Sequence, residues 1–143
     1  MLVLLDSNVF FSALISPAGQ PRAIYSAWLR GSFRLVTCQQ QIDEIRRASR
    51  YPRFRSRLQP YEVGTMLNHL YAAELWPEPI PRRHKAADPA DSFLLDLAEA
   101  AQPDYFVTGD KRSGMLKVKK LGRTKILSVS AFCKSVLRLK TGK

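Results

Sequence analysis

The sequence Met1-Leu2-Val3-Leu4-Leu5-Asp6-Ser7-Asn8 stands at the start of the chain and decides its fold. Five consecutive apolar residues followed by turn and cap formers are typical of a short strand buried on both faces, as in the centre of a parallel sheet. Asp6 then stands at the carboxyl end of that strand. In open α/β sheets ligands bind at this edge. The position of each other acid relative to Asp6 therefore decides whether it can belong to the same site.

Beyond this stretch, predicted strands alternate with predicted helices. Short apolar runs predict further strands at Phe33–Thr37, Leu75–Trp76, Tyr105–Thr108 and Lys125–Leu127. Apolar residues at helical spacing predict helices from Pro21 to Gly31, Gln39 to Ser49, Pro60 to Tyr71 and Asp88 to Ala101, and a C-terminal helix that Ser130 caps and that contains Phe132, Val136 and Leu139. This alternation implies a three-layer α/β/α sandwich with a central parallel sheet of four or five strands.

Length and composition limit the class of protein. The 143 residues are the size of one domain, so residues 1–143 are expected to form a single one. Lys and Arg number 23 against 12 acids, and the net charge of +11 indicates a polyanionic partner. No long apolar run or signal peptide is present, which predicts a cytoplasmic protein that does not associate with membranes. Cys38 and Cys133 lack the spacing of a zinc site or a disulfide framework.

Four acids from distant parts of the chain are expected to meet at one edge of this sheet. Asp6 ends the first strand, and Glu44 lies in the second turn of the helix that follows the second strand. Asp91 lies in the first turn of its helix, and Asp110 follows the strand Tyr105–Thr108. Because parallel strands end at a common edge, the four carboxylates should lie close together.

Crowded carboxylates repel one another unless a cation lies among them. The chain offers no matching His/Cys cluster for zinc, and hard divalent ions prefer oxygen ligands, so Mg²⁺ or Mn²⁺ is the expected cofactor. On a strongly basic protein, an acidic metal pocket favours nucleic-acid phosphate as the substrate.

Each acid also has a purely structural explanation. Asp88 and Asp91 have the positions of a helix N-cap and a first-turn acid, and Asp110 follows a glycine in a turn. Glu44 competes with its neighbour Asp43, which is equally acidic. The spacing alone leaves these alternatives open.

Three motifs give the chain a resemblance to a known family. They are Leu4-Leu5-Asp6-Ser7-Asn8, the stretch Asp88-Pro-Ala-Asp91-Ser-Phe-Leu-Leu-Asp-Leu-Ala98, and Tyr105-Phe-Val-Thr-Gly-Asp110, with Glu44 in a helix between the first two. The pattern resembles the PIN-domain family, and within it the toxins of bacterial type II toxin–antitoxin pairs. The resemblance implies a metal-dependent endoribonuclease with the acidic quartet Asp6, Glu44, Asp91 and Asp110, a cognate antitoxin and a homodimer. Asp88 and Asp91 both fit the third acidic position, although Asp91 fits the D-x-x-L-L-x-L-A pattern better.

The resemblance and the charge suggest roles for further residues. Ser7, Asn8 and Thr108 are candidates for orienting metal ligands or water. Candidate phosphate contacts are the basic residues Arg46, Arg47, Arg50, Arg53, Arg55, Arg82, Arg83 and Lys111.

Two rival functions use the same kind of fold. One is a non-catalytic nucleic-acid-binding protein in which the acids are only caps and turns. The other is a phosphoacceptor domain, which also gathers acids and Mg²⁺ at a sheet edge. The second is disfavoured because it requires a lysine at the end of its last strand, and Lys125 begins the predicted one.

Overall fold

The computed structural model describes residues 1–84, 89–109, 116 and 119–139, and for residues 89–91 it describes the backbone alone. The strands are β1 (Leu2–Leu5), β2 (Arg34–Thr37), β3 (Glu74–Leu75), β4 (Tyr105–Thr108), β5 (Lys120–Leu121) and β6 (Thr124–Ser128). The helices are α1 (Ser7–Ile15), α2 (Gln20–Leu29), α3 (Gln39–Ala48), α4 (Pro52–Arg55), α5 (Pro60–Tyr71), α6 (Pro89–Ala101) and α7 (Val129–Ala131), which continues as a π-helical turn, Phe132–Val136. None of the helices in these ranges has the length and apolar character needed to cross a membrane.

The strands form one sheet in the order β3-β2-β1-β4-β6-β5. All neighbouring pairs are parallel except β5 with β6, which is an antiparallel hairpin. The predicted α/β/α fold is confirmed. The sheet has six strands rather than four or five, because β5 contains only two residues and is too short to give a periodic signal.

The central strands are buried on both faces, as the first eight residues predict. Side chains alternate across a strand, so Val3 and Leu5 contribute to one core while Leu4 contributes to the other. The first core includes residues of α1, α2, α3, α5 and the π-helical turn. The second packs the sheet against α6. These two cores give the three layers.

Two local features differ from the sequence pattern. The apolar stretch after Asn8 forms most of α1, and six of the nine residues of this helix are buried, so it shows no polar face by which to recognise it. The C-terminal helix was predicted with the wrong cap and the wrong end. Ser128, not Ser130, accepts the hydrogen bond from the Ala131 amide, and Leu139 lies beyond the π-helical turn.

The path of the chain creates a crevice between β1 and β4. From β1 the chain passes through α1 and α2 to β2, and then on to β3 at the edge of the sheet. It returns through α6, on the opposite face, to β4, which pairs with the other side of β1. Adjacent strands whose connections leave in opposite directions form a topological switch point, where ligands bind in α/β sheets.

Asp104 joins the beginnings of β1 and β4. Its Oδ2 accepts a hydrogen bond from the Leu2 amide at 2.7 Å, and its Oδ1 accepts one from the Arg123 guanidinium, next to β6. The Leu2 amide hydrogen bond is the main cause that lowers the pKa of the Asp104 carboxyl, and the positive charge of Arg123 adds to it against the opposing effect of burial.

We expect Asp104→Asn to lower the free energy of unfolding by about 1 kcal/mol at pH 7, the typical net worth of a hydrogen bond. Because the folded-state pKa of Asp104 is depressed, its contribution is present above the unfolded-state value of about 3.9 and is lost as the pH falls through the folded-state value. The difference between the two proteins should therefore shrink below about pH 4. Urea denaturation followed by tryptophan fluorescence at several pH values measures this difference. A gap that is constant with pH would show that the charge of Asp104 does not contribute.

Candidate functional site

Asp6 lies at the carboxyl end of β1, in the crevice beside β4. It is buried, with 4% of its surface exposed. Its Oδ1 accepts a hydrogen bond from the Asn8 amide at 3.3 Å, which makes Asp6 the N-cap of α1. Its Oδ2 accepts a hydrogen bond from the hydroxyl of Thr108, the last residue of β4, at 2.9 Å. Since buried charged groups require polar partners, the crevice is built around this carboxylate from both strands.

The structure brings Thr108 and Asp6 together, although they are far apart in the sequence. Thr108 is buried as well, so its hydroxyl holds the orientation of the Asp6 carboxylate. The Asn8 amide acts from the other side, while the Asn8 side chain is exposed. The functional roles of Asn8 and Thr108 stay predictions, but the contacts suit groups that orient a ligand.

Gln41, in the first turn of α3, is a site residue that sequence reasoning missed. Its side chain is fully buried. Its Nε2 donates to the Leu5 carbonyl at 2.7 Å and to Ser7 Oγ at 3.3 Å, and its Oε1 accepts from the Thr37 hydroxyl at 2.6 Å. Gln41 therefore connects α3 to the end of β2 and to the two residues that precede and follow Asp6 in the sequence. The available signal was a glutamine at helical spacing with the buried residue Ile45.

Glu44 and Asp43 occupy different surroundings on α3. Glu44 is half-buried and lies three residues after Gln41, on the same side of the helix. Its negative charge contributes, after the dominant effect of burial and together with Glu78, to raising the pKa of the Cys38 thiol at the N-cap of α3. Asp43 is exposed; it accepts a hydrogen bond from Gln39 at 2.9 Å and pairs with Arg46 at 3.4 Å. Glu44 is therefore better placed than Asp43 to act at the sheet edge.

The other predicted acids belong to parts of the chain that are described incompletely. The backbone of Asp91 lies in the first turn of α6. Because α6 ends just before β4 begins, this first turn lies at the carboxyl edge of the sheet. The side chain of Asp91 and the whole of Asp88, Asp110 and Lys111 lie outside the described residues.

The donor chemistry of the crevice suits a hard cation. Asp6, Glu44 and Thr108 offer only oxygen atoms, which fit Mg²⁺ or Mn²⁺ rather than zinc. Among the described residues, no group of three or more His, Cys, Asp or Glu side chains is arranged to hold a metal ion. The four-acid site therefore stays a prediction, which depends on Asp91 and Asp110.

The predicted phosphate contacts form two groups. One group lies on α3, on α4 and, for Arg50, in the turn between them; it consists of Arg46, Arg47, Arg50, Arg53 and Arg55. Within this group Arg46 donates to the Tyr71 hydroxyl at 3.1 Å, and the Arg53 guanidinium lies 4.7 Å from the centre of the Phe54 ring. The other group, Arg82 and Arg83, is exposed in the connector that precedes α6.

Asp96 anchors this basic connector to α6. The buried carboxylate accepts hydrogen bonds from the amides of Arg83 and His84, at 2.9 and 2.8 Å. One turn later on α6, Glu99 Oε2 lies 2.7 Å from His84 Nε2. The helix that contains Asp91 thereby fixes the path of Arg82 and Arg83. Sequence reasoning missed Asp96; its signal was an acid within the apolar stripe of α6.

We expect Gln41→Leu to lower the free energy of unfolding by about 1 to 3 kcal/mol, because it leaves the Thr37 hydroxyl and the Leu5 carbonyl buried without this partner. Gln40→Leu is the matched control, since Gln40 is the exposed neighbour on the same helix turn. Urea denaturation of the two variants measures the difference. Equal stabilities would show that the Gln41 network adds nothing to the fold.

Comparison with known proteins identifies the family. The model of the PIN domain family matches residues 2–112. This range includes Asp6, Glu44, Asp91 and Asp110 and the whole crevice between β1 and β4. Searches of curated proteins and of solved structures found no match. Since the family model covers well over half of the sequence, the chain belongs to the PIN domain family.

Proposed function

We propose that this protein is a metal-dependent endoribonuclease that hydrolyses phosphodiester bonds in RNA. The PIN domain is a nuclease fold. The observation that carries the proposal is the buried Asp6 carboxylate, held by Thr108 and the Asn8 amide at the switch point between β1 and β4. A metal-dependent nuclease needs oriented carboxylates of this kind to hold its metal ion at the scissile phosphate.

In this proposal Asp6, Glu44, Asp91 and Asp110 would hold one or two Mg²⁺ or Mn²⁺ ions, and Asp88 is the alternative to Asp91. When bound, such ions activate water and stabilise the charge that develops on the phosphate. Thr108 keeps one Asp6 oxygen oriented, and Gln41 keeps Ser7 in place beside it. Second contacts of this kind fix the direction of the ligand atoms.

RNA would approach this edge along basic surfaces. The net charge of +11 attracts a polyanion over long range. Arg82 and Arg83 lie in the connector that Asp96 fixes against α6, and Lys111 directly follows the last of the four acids. Further candidate phosphate contacts lie on α3, on α4 and in the turn between them: Arg46, Arg47, Arg50, Arg53 and Arg55.

The biological role that we propose is that of the toxin in a type II toxin–antitoxin pair. This proposal includes a cytoplasmic homodimer and a cognate antitoxin. It is supported by the resemblance of the sequence motifs to such toxins. An antitoxin that reaches the pocket should present a basic side chain, because clustered carboxylates keep a negative local potential on a protein of net positive charge.

Asp6→Asn should lower metal-dependent RNA cleavage by orders of magnitude, because a neutral amide cannot balance the charge of the ion. The stability of the metal-free protein should change little or rise, since repulsion among the carboxylates is relieved. The assay uses mixed RNA with Mn²⁺ or with EDTA, which should abolish cleavage. Asp43→Asn, an exposed acid on α3, is the control and should retain activity.

The alternative function predicts a different result in the same experiment. A non-catalytic nucleic-acid-binding protein would bind RNA equally well with EDTA and would not cleave it. An Asp6→Asn protein that unfolds, yet keeps its activity per folded molecule, would show that Asp6 is structural and that the catalytic site lies elsewhere.

Expression of the native chain from an inducible promoter should arrest the growth of a bacterial host, because a free ribonuclease toxin degrades RNA that the host needs. The Asp6→Asn variant, expressed to the same level, should allow growth. Colony counts after induction measure the effect. Normal growth with an active native enzyme would contradict the toxin role and leave the ribonuclease activity standing.

A further inference from the structure

An open groove lies on the outer side of α3, α4 and α5. Its volume is about 540 Å³, within the range of about 300 to 1,000 Å³ that is usual for binding sites. Its lining comes from the last turn of α3, the end of α4, the part of α5 from Pro60 to Leu67, and the segments that connect these helices. Since α3 begins at the carboxyl edge of the sheet, this α3–α5 groove lies near the opposite end of the helix. Of the predicted acids whose side chains the structure describes, neither Asp6 nor Glu44 lines it.

The groove has an aliphatic floor and a basic rim. Leu58 and Leu67 are buried in its floor, and Val63 is half-buried beside them. Its cationic groups are the guanidinium groups of three arginines, Arg46, Arg50 and Arg55. Among the described residues, no carboxylate and no aromatic ring lines the groove, and neither Arg50 nor Arg55 makes an ion pair there.

Gly64 provides an independent observation. It lies in the interior of α5 and lines the groove. A glycine in a helix interior makes the helix less stable than an alanine would. Apart from its chain neighbours and the backbone of its own helix, a Cβ atom at Gly64 would meet no atom within 4 Å, so close packing does not require glycine here. The missing side chain is explained if the groove must stay open.

We infer that the α3–α5 groove binds an acidic, amphipathic helical segment of a partner protein. Such a helix places aliphatic side chains at helical spacing on an apolar floor. Its flanking carboxylates would meet the arginine rim, since the planar guanidinium group pairs well with carboxylates. The binding requires neither RNA nor metal, and it assigns Arg46, Arg50 and Arg55 to a protein partner rather than to RNA phosphate.

The composition of the groove favours this occupant over two others. Single-stranded RNA is usually bound by stacking its bases on aromatic rings, and the described lining offers aliphatic side chains instead. A second copy of this chain carries only 12 acids against 23 Lys and Arg residues, so it is a poor partner for a rim of arginines. The proposed homodimer would therefore use another surface.

The experiment is a selection from a displayed library of random peptides of about 16 residues. The native full chain is the target, and Gly64→Leu is the counter-target because its side chain fills the groove. Enriched peptides should combine Leu, Ile or Val at helical spacing with flanking Asp or Glu. Absence of enrichment over the counter-target, or enriched peptides without acids, would overturn the inference.

Titration calorimetry of one enriched peptide then tests the groove itself. Gly64→Leu and the double variant Arg50→Gln/Arg55→Gln should each weaken binding at least tenfold. The controls are Thr65→Leu, which adds the same side chain at an exposed position on α5, and Arg30→Gln/Lys134→Gln, which removes two exposed charges outside the groove. Circular dichroism verifies that each variant is folded.

Equal weakening by the controls would show only non-specific attraction and would overturn the inference. A non-cleavable 2′-O-methyl RNA of about 12 nucleotides is the final probe. Loss of RNA binding in Gly64→Leu, together with no enriched peptide, would make the groove an RNA site and the inference wrong.

Discussion

Strands β1 and β4 and the start of α1 meet at a buried carboxylate, Asp6, at the end of a strand that has no polar face. Val3, Leu4 and Leu5 leave no solvent on either side of β1, so the charge of Asp6 must be stabilised from within the protein. The Asn8 amide can stabilise it only if a helix begins at once, and the Thr108 hydroxyl only if β4 lies beside β1. A helix N-cap requires the hydrogen bond from the Asn8 amide but not the hydrogen bond from the Thr108 hydroxyl. The hydroxyl from β4 therefore connects the cap of α1 to the neighbouring strand.

Much of the fold follows from the sequence because its strands and helices have clear apolar periods. The strand Tyr105–Thr108 was predicted with its observed ends, and α5 begins at the predicted Pro60. Each feature that was missed or misplaced has its own physical cause. Helix α1 is buried almost all round and lacks an amphipathic pattern, and β5 is only a two-residue hairpin partner of β6. The C-terminal cap shifted to Ser128 because β6 extends to that residue.

Less of the candidate site was accessible from the sequence. The place of Asp6 follows from its strand, but its partner Thr108 depends on strand order, which local patterns do not encode. The choice between Asp43 and Glu44 is similar. Adjacent helix residues point in directions about 100° apart, so one of the two acids had to face outward. Only the packing of α3, with Gln41 turned toward Leu5 and Ser7, places Glu44 on the inner side.

Helix α3 contacts the sheet edge with one side and lines the α3–α5 groove with the other. Its inner side joins the ends of β1 and β2 through Gln41, whereas its outer side presents Arg46 and leads to Arg50. Arg46 and Arg47 lie in the last turn, where the helix dipole favours positive charge, and the first turn contains no acid. The position of Glu44, in the second turn, is therefore not explained by the dipole. Because the two sides share a helix but no side chains, substitutions on the rim should leave the crevice around Asp6 intact, and the groove and the crevice are independent features of one scaffold.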